Sequence, residues 1–442
     1  MRPGPAGGDT DVHAATERRA EAEPGGAPGI GLYLHIPFCE KKCHYCDFNT
    51  YAGMDALIPR YVEALIAEVT RWGVALAGGQ LPGTGPERAP ARTVFFGGGT
   101  PSLLTPEQVA AILSACRRAF LLAEDAEVSL EANPGTLSVD LLRGFREAGV
   151  NRLSMGVQSF HDDELRWLGR IHSVAEVLAS FERARAAGFA NINLDLIYGL
   201  PRQSLDRWQE SLRRALALRP EHLSCYALTV EEGTPLGRWV DQGRVPLPDP
   251  DLAADMYLAT EEGLAAAGYE HYEISNWALP DRACRHNLIY WRNTPFLGCG
   301  AGAHSYLGGW RFADIRLPNH YIRAVACLAE TALPDLSLAV QGEPLAEEAL
   351  RRVAPVAMVE PIPPAVARGE TMMLNLRLAE GVDPADFARR FGCTLEETYG
   401  PVLAELEGYG LLEWHEGRLR LSGRGRLLSN EVFVRFLERS QA

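Results

Sequence analysis

Six short apolar runs, each followed by a stretch carrying helix signals, leave this chain few folds to choose from. They are GLYLHI (31–36), TVFF (93–96), VSLEA (128–132), RLSMGV (152–157), INLDLIYG (192–199) and LSCYAL (223–228). The signals between them are specific. Thr105-Pro106-Glu107-Gln108 offers an N-cap, a proline at the first helical position and a capping-box glutamine. Ser173-Val174-Ala175-Glu176 is a second capping box, and Gly188 supplies its stop. Strands that alternate with helices pair in parallel. Nearly continuous apolar strands suit a sheet whose outer face is covered by helices. The expected fold is α/β: a partial (β/α) TIM-like barrel, with its chemistry on the loops at the C-terminal strand ends.

The chain has 442 residues, which suits one large domain and one small one. Residues 1–29 are rich in Gly, Pro, Ala and charge with no apolar period, and read as a disordered tail. The barrel is expected over 30–330. Residues 75–92 read as a Gly/Pro-rich surface loop, and 331–365 as a linker or insertion. After about residue 366 helical patterns at 366–380, 384–391 and 394–408 precede LLEWHEGRLRLS (411–422), which reads as a hairpin turning at Glu416-Gly417. Helices followed by a hairpin predict a mostly helical, winged-helix-like domain over 366–442. Its 10 Arg and no Lys stand against 12 Asp and Glu, so it lacks the basic footprint of a nucleic-acid binder. The net charge of -14 points the same way for the whole chain. No run approaches the roughly 18 apolar residues of a membrane span. The first residues have no apolar stretch of a secretory signal, so the expected compartment is the cytoplasm, with room for peripheral association with membrane proteins.

Three of the nine cysteines fall close together just past the first strand, as Cys39-x3-Cys43-x2-Cys46. The other six are scattered and read as small buried hydrophobes. A cubane of four irons usually takes four thiolates. Three thiolates on one loop hold one corner and leave the fourth iron open to an amine and a carboxylate, the chelating end of a methionine. The bland alternative is a zinc knuckle, with His35 or His44 as fourth ligand. Zinc sites commonly use two spaced pairs, and no second CxxC exists here.

YLHIPFCEKKCHYCDFNT resembles the radical S-adenosylmethionine superfamily, whose signature is CxxxCxxC. In that family a [4Fe–4S] cluster donates an electron to bound S-adenosylmethionine, and a 5′-deoxyadenosyl radical results. Gly97-Gly98-Gly99 ends the second strand, where glycines let backbone approach a ligand. LYLHIPFC, FFGGGTPS, EANPGT, NRLSMGVQSF, NLDLIYGLP and GAGAHS narrow the resemblance to the oxygen-independent coproporphyrinogen III oxidase branch, from about residue 31 to the C-terminus. The resemblance implies a radical SAM type barrel. It also implies S-adenosylmethionine contacts from Tyr33, Tyr45, Gly98, Gly99, Thr100, Glu131, Gln158, Arg170 and Asp195. Glu131, Gln158 and Asp195 fall near the ends of the third, fourth and fifth expected strands, where a carboxylate can accept from ribose hydroxyls or an ammonium.

Two departures redirect the expected function. The porphyrinogen-oxidising members carry CxxxCxxCxC, and here Phe48 stands at the last cysteine. That is the pattern of the sister group of haem chaperones. His286-Asn287-Leu288-Ile289-Tyr290-Trp291 resembles that group's HNxxYW haem signature. The resemblance therefore implies haem contacts from His286, Asn287, Tyr290 and Trp291, since imidazole is a common axial ligand and aromatics stack on porphyrin. Cys284 is an alternative ligand. The expected function is a haem chaperone that binds haem, a [4Fe–4S] cluster and S-adenosylmethionine and delivers haem to apo-haemoproteins. The runner-up is an oxygen-independent coproporphyrinogen III dehydrogenase of porphyrin biosynthesis. A radical SAM enzyme on another substrate and a regulator acting through the C-terminal module stand behind these.

Overall fold

The computed structural model describes residues 29–78, 88–339 and 345–437. The expected tail, apart from Gly29, and much of the expected 75–92 loop lie outside the described residues. All six apolar runs are strands: β1 (Ile30–Ile36), β2 (Pro90–Gly98), β3 (Leu121–Ala132), β4 (Arg152–Gln158), β5 (Ile192–Tyr198) and β6 (His222–Ala227). Both capping boxes form, with Thr105 and Ser173 each accepting from the backbone N–H three residues on.

Six more strands join the same sheet: β7 (Glu270–Glu273), β8 (Asn276–Ala278), β9 (Phe296–Cys299), β10 (His304–Leu307), β11 (Trp310–Asp314) and β12 (Val356–Pro361). The order across the sheet is β12-β11-β10-β9-β1-β2-β3-β4-β5-β6-β8-β7. From β9 through β1 to β6 the neighbours run parallel, and both flanks are antiparallel. The sheet is therefore an open barrel with antiparallel extensions. Residues 331–365, expected as a linker, contribute the helix Glu347–Val353 and the edge strand β12.

Strand periodicity divides the barrel into two faces. Leu32, Leu34, Val94, Phe96, Val128, Leu130, Leu153, Met155, Leu194, Leu196 and Leu223 are buried in one large core beneath the surrounding helices. The intervening residues, among them Tyr33, His35, Thr93, Phe95, Glu131, Ser154, Asp195, Ser224 and Tyr226, face the lumen. The outer face builds the fold, and the inner face is free to carry polar chemistry.

The C-terminal module has its own core around Met372, Phe387, Tyr399, Leu419 and Phe436. Helices Pro364–Asn375, Pro384–Phe391 and Leu395–Gly408 precede the hairpin β13 (Leu412–His415) and β14 (Arg418–Leu421). The turn is at Glu416 and Gly417, both at positive φ as a tight two-residue hairpin requires. Among the contacts that dock the module on the barrel, Arg377 pairs with fully buried Glu273 at 3.2 Å and lies over the Trp291 ring at 4.3 Å, and Arg426 pairs with Glu261 at 2.8 Å. Among the described residues no helix is long and apolar enough to cross a membrane.

Candidate active site at the mouth of the barrel

The loop after β1 is held in place by its own backbone and by its neighbours. Phe38–Cys39 forms a small parallel ladder with Tyr51–Ala52. His44 N donates to Leu168 O at 3.0 Å, and Leu236 N donates to His44 O at 2.9 Å. His35 Nε2 meets Asn49 O at 3.0 Å. A carbonyl only accepts, so Nε2 carries the proton. Burial lowers the His35 pKa to about 4, so the ring is neutral and its Nδ1 accepts from the Tyr33 hydroxyl at 3.0 Å. The cysteine loop is thus tied to the lumen face of β1.

Cys39, Cys43 and Cys46 are free thiols, each partly buried. Thr100 Oγ1 donates to Cys39 Sγ at 3.6 Å, and Arg170 Nη1 donates to Cys43 Sγ at 3.4 Å. Burial raises the Cys39 and Cys46 pKa values, so these two are thiols until a metal displaces the proton. Among the described residues no three Cys, His, Asp or Glu side chains gather closely enough for a single ion. Zinc needs such a gathering, whereas a cubane puts its thiolates on separate irons and needs them further apart. The donor set fits a cluster better than a lone ion.

The glycine triplet lies directly beneath this loop. Gly99 N donates to Ile36 O at 2.9 Å and Thr100 N to Phe38 O at 2.8 Å. A Cβ on Gly99 would stand 2.5 Å from Phe38 O. Gly98 has φ +110°, and a Cβ there would stand 2.4 Å from the His35 ring. Side chains at these positions would push the cysteine loop away, so the triplet and the cysteines act as one structural unit. Asn133 binds this unit to β3 by donating from Nδ2 to Thr100 Oγ1 at 3.0 Å. It also accepts from Arg170 Nη2, which donates in addition to Gly156 O at 2.7 Å. Asn133 lies in EANPGT, but its bridging role depends on β2, β3 and the Arg170 loop meeting in space.

Carboxylates line the lumen below. Glu131 accepts from Gly98 N at 3.1 Å, and its pKa is pushed up to about 8 by burial and then by the charge of Asp195. Burial also raises Asp195, against the pull of hydrogen bonds from Asn193 at 2.8 Å and Ser154 at 3.2 Å. Glu131 and Gln158 stand at the ends of their strands. Asp195 is the fourth of seven residues of β5, deeper in the lumen than a strand end. Gln158 has φ 71°, a left-handed conformation costly for this residue type and common at functional sites. Tyr45 packs against Leu168, Ile197 and Leu200, and burial raises its phenol pKa.

The radical SAM superfamily model matches residues 33–215, and the HemN C-terminal domain model matches 362–428. Heme chaperone HemW of Bacillus subtilis is 39% identical over 92% of this chain and 98% of its own length. Heme chaperone HemW of Mycobacterium tuberculosis is 40% identical over 94% and 98%. The chain belongs to the HemW family of radical SAM proteins. A bovine relative, radical S-adenosyl methionine domain-containing protein 1, mitochondrial, is 37% identical over 97% of this chain and 93% of its own. The coproporphyrinogen III oxidase HemN of Escherichia coli shares the fold, with a TM-score of 0.74, 23% identity, and 92% of this chain and 90% of that chain covered.

The HNxxYW string of this HemW-family chain is the helix Arg285–Trp291, far from the cysteine loop along the strands. The Glu127 carboxylate holds its start, accepting from Arg285 N at 3.0 Å, His286 N at 3.2 Å and Cys284 Sγ at 3.4 Å. His286 is 1% exposed, with Nδ1 against Thr93 Oγ1 at 2.7 Å and Nε2 against Tyr290 OH at 2.8 Å. Its ring stacks on Phe95 with centroids 5.1 Å apart, and burial pushes its pKa down to about 3. In this arrangement both ring nitrogens are engaged, so neither is open to an iron. Cys284 is fully buried. Tyr290 is partly accessible, and Trp291 sits under Arg377 with its carbonyl accepting from Asn375 Nδ2 at 2.8 Å. The string thus forms a floor between barrel and C-terminal module. Its sequence alone says nothing of Thr93, the partner that occupies Nδ1.

Proposed function

We propose that this protein is a haem chaperone that receives haem and delivers it to apo-haemoproteins. The observation that carries this reading is the alignment, over nearly the whole of both chains, with relatives named as haem chaperones. Phe48 supports it. Its side chain is 61% exposed where the porphyrinogen-oxidising pattern has a cysteine.

Cys39, Cys43 and Cys46 would hold a [4Fe–4S] cluster. Tyr33, Tyr45, Gly98, Gly99, Thr100, Glu131, Gln158, Arg170 and Asp195 would line the place of S-adenosylmethionine. When bound, this pair supplies one-electron chemistry. The chain's own residues do the rest. Arg170 places a cation beside Cys43, with Nη1 donating to its sulfur. Asn133 fixes Arg170 and Thr100 relative to each other. Glu131, neutral below about pH 8, can donate a hydrogen bond as well as accept one.

The test is transfer. Haem-loaded protein is mixed with an apo-haemoprotein such as apomyoglobin, and the acceptor's spectrum is followed. Coproporphyrinogen III is offered separately under anaerobic, reducing conditions. The expected result is haem transfer with no protoporphyrinogen IX formed. Turnover of coproporphyrinogen III without transfer would establish the dehydrogenase instead.

A further inference from the structure

The lumen face of the barrel continues across the antiparallel extension, and there it carries a histidine with no hydrogen-bond partner among the described residues. His304 opens β10, in the GAGAHS stretch, and its side chain is exposed. His35, His222 and His286, the other imidazoles on the lumen side, have both ring nitrogens engaged. His304 has neither engaged.

Sheet register says what surrounds it. His304 is opposite Ala313, and Ala313 is opposite Met358. Opposed residues share a face, so the His304 and Met358 side chains stand on one side with only a methyl between them. Met358 is 40% exposed. One row further along, Tyr306 is opposite Arg311 and Arg311 opposite Glu360. Ser305 and Phe312, between these rows, point the other way, Phe312 into the main core. The result is a shallow platform with an imidazole, a thioether and a phenol ring along it.

Two arginines stand beside the imidazole. Burial, and after it the charges of Arg311 and Arg316, lower the His304 pKa, which favours the neutral form that ligates metal. Arg316 is exposed, with its Nε on Asn49 Oδ1 at 3.3 Å. Asn49 Nδ2 in turn donates to Ala301 O at 2.8 Å and Arg316 O at 3.0 Å. The residue before Asn49 is the exposed Phe48. Through Arg316 and Asn49 the His304 end of the platform adjoins the end of the cysteine loop.

We infer that His304 is the iron ligand of the transported haem, which would lie on this platform with its apolar ring toward Tyr306 and Met358 and an acid group toward Arg316. The chemistry of the platform is that of a ferric porphyrin carboxylate: a neutral imidazole for the iron, apolar and polarisable surface for the ring, and a cation for the acid groups. No bond beyond iron–nitrogen coordination is made, so loading and release need no oxidant. The inference rests on the chaperone reading and assigns the ligand to His304 in place of His286.

Full-length, cluster-reconstituted protein is titrated with ferric haem, following the Soret band. His304→Ala and His304→Gln are compared with wild type, with His320→Ala, an exposed histidine outside the platform, as control. Iron and sulfide content certifies the fold of each. Both His304 variants are expected to bind haem at least tenfold more weakly and with a displaced Soret maximum. Added imidazole should restore the wild-type spectrum, and His320→Ala should match wild type. Unchanged affinity and spectrum in His304→Ala overturn this assignment and leave the chaperone reading standing. No complex with wild-type protein, cluster intact, overturns both.

Discussion

Glu131 concentrates the electrostatic tension of the lumen on one residue. Its folded pKa of about 8 lies above the ordinary carboxylate value of 4.5. The folded state therefore binds this proton more tightly than the unfolded chain does. The associated stability is fully present below about pH 4.5 and is lost as pH rises toward 8, by at most about 1.4 kcal/mol per pH unit. Glu131→Gln removes that loss. The apo form of the variant should gain stability over wild type between pH 5 and pH 8 in urea unfolding, and the gain should level off above. A pH-independent difference would mean that Glu131 is ionised in the folded protein. Much of the mouth was legible at this scale. Cys39, Cys43, Cys46 and the glycine triplet are short local patterns, and the two segments that carry them meet directly at the ends of β1 and β2. The state of His286 was not legible. Whether an imidazole is open or spent depends on Thr93 and Tyr290, and Thr93 lies 193 residues away.

At the scale of elements, the short helix Arg285–Trp291 depends on a single carboxylate. Glu127→Ala would leave the Arg285 and His286 N–H groups and the Cys284 thiol without their acceptor. Each buried donor left unpaired costs about 1–3 kcal/mol. Amide exchange over 285–291 should accelerate well ahead of β1 and β2. Uniform protection across the molecule would show that the helix is held by its aromatic contacts alone. The six strands β1 to β6 were visible in the sequence because each is a nearly continuous apolar run set between helix signals. Strands β7 to β12 were not. They are three to six residues long and, apart from the parallel pairing of β9 with β1, antiparallel, and their inward positions carry His304, Tyr306, Arg311 and Met358. Such pieces become strands by pairing with what is already there. Val356–Pro361, inside a segment that reads as a linker, is a strand because β11 offers it an edge.

Across the whole molecule, barrel and C-terminal module share a buried ion pair. Arg377→Ala would leave fully buried Glu273 with only its contacts to Ser275 N and Asn276 Nδ2, and would uncover Trp291. Breaking a buried pair from one side costs about 3–5 kcal/mol, and the remaining donors place this case toward about 3. The variant should unfold at lower urea and expose the junction near residue 377 to limited proteolysis. Wild-type resistance would mean that the other contacts of the junction, among them Arg426–Glu261 and Arg311–Glu370, hold it without Arg377. The proposed haem-carrier function rests on a radical SAM scaffold. Direct titration of reconstituted, full-length protein with haem tests it best, with cluster iron and sulfide measured on the same sample. The expected result is saturation at one haem per chain with a stable Soret band and the cluster retained. Absence of saturable binding while the cluster is intact would contradict it.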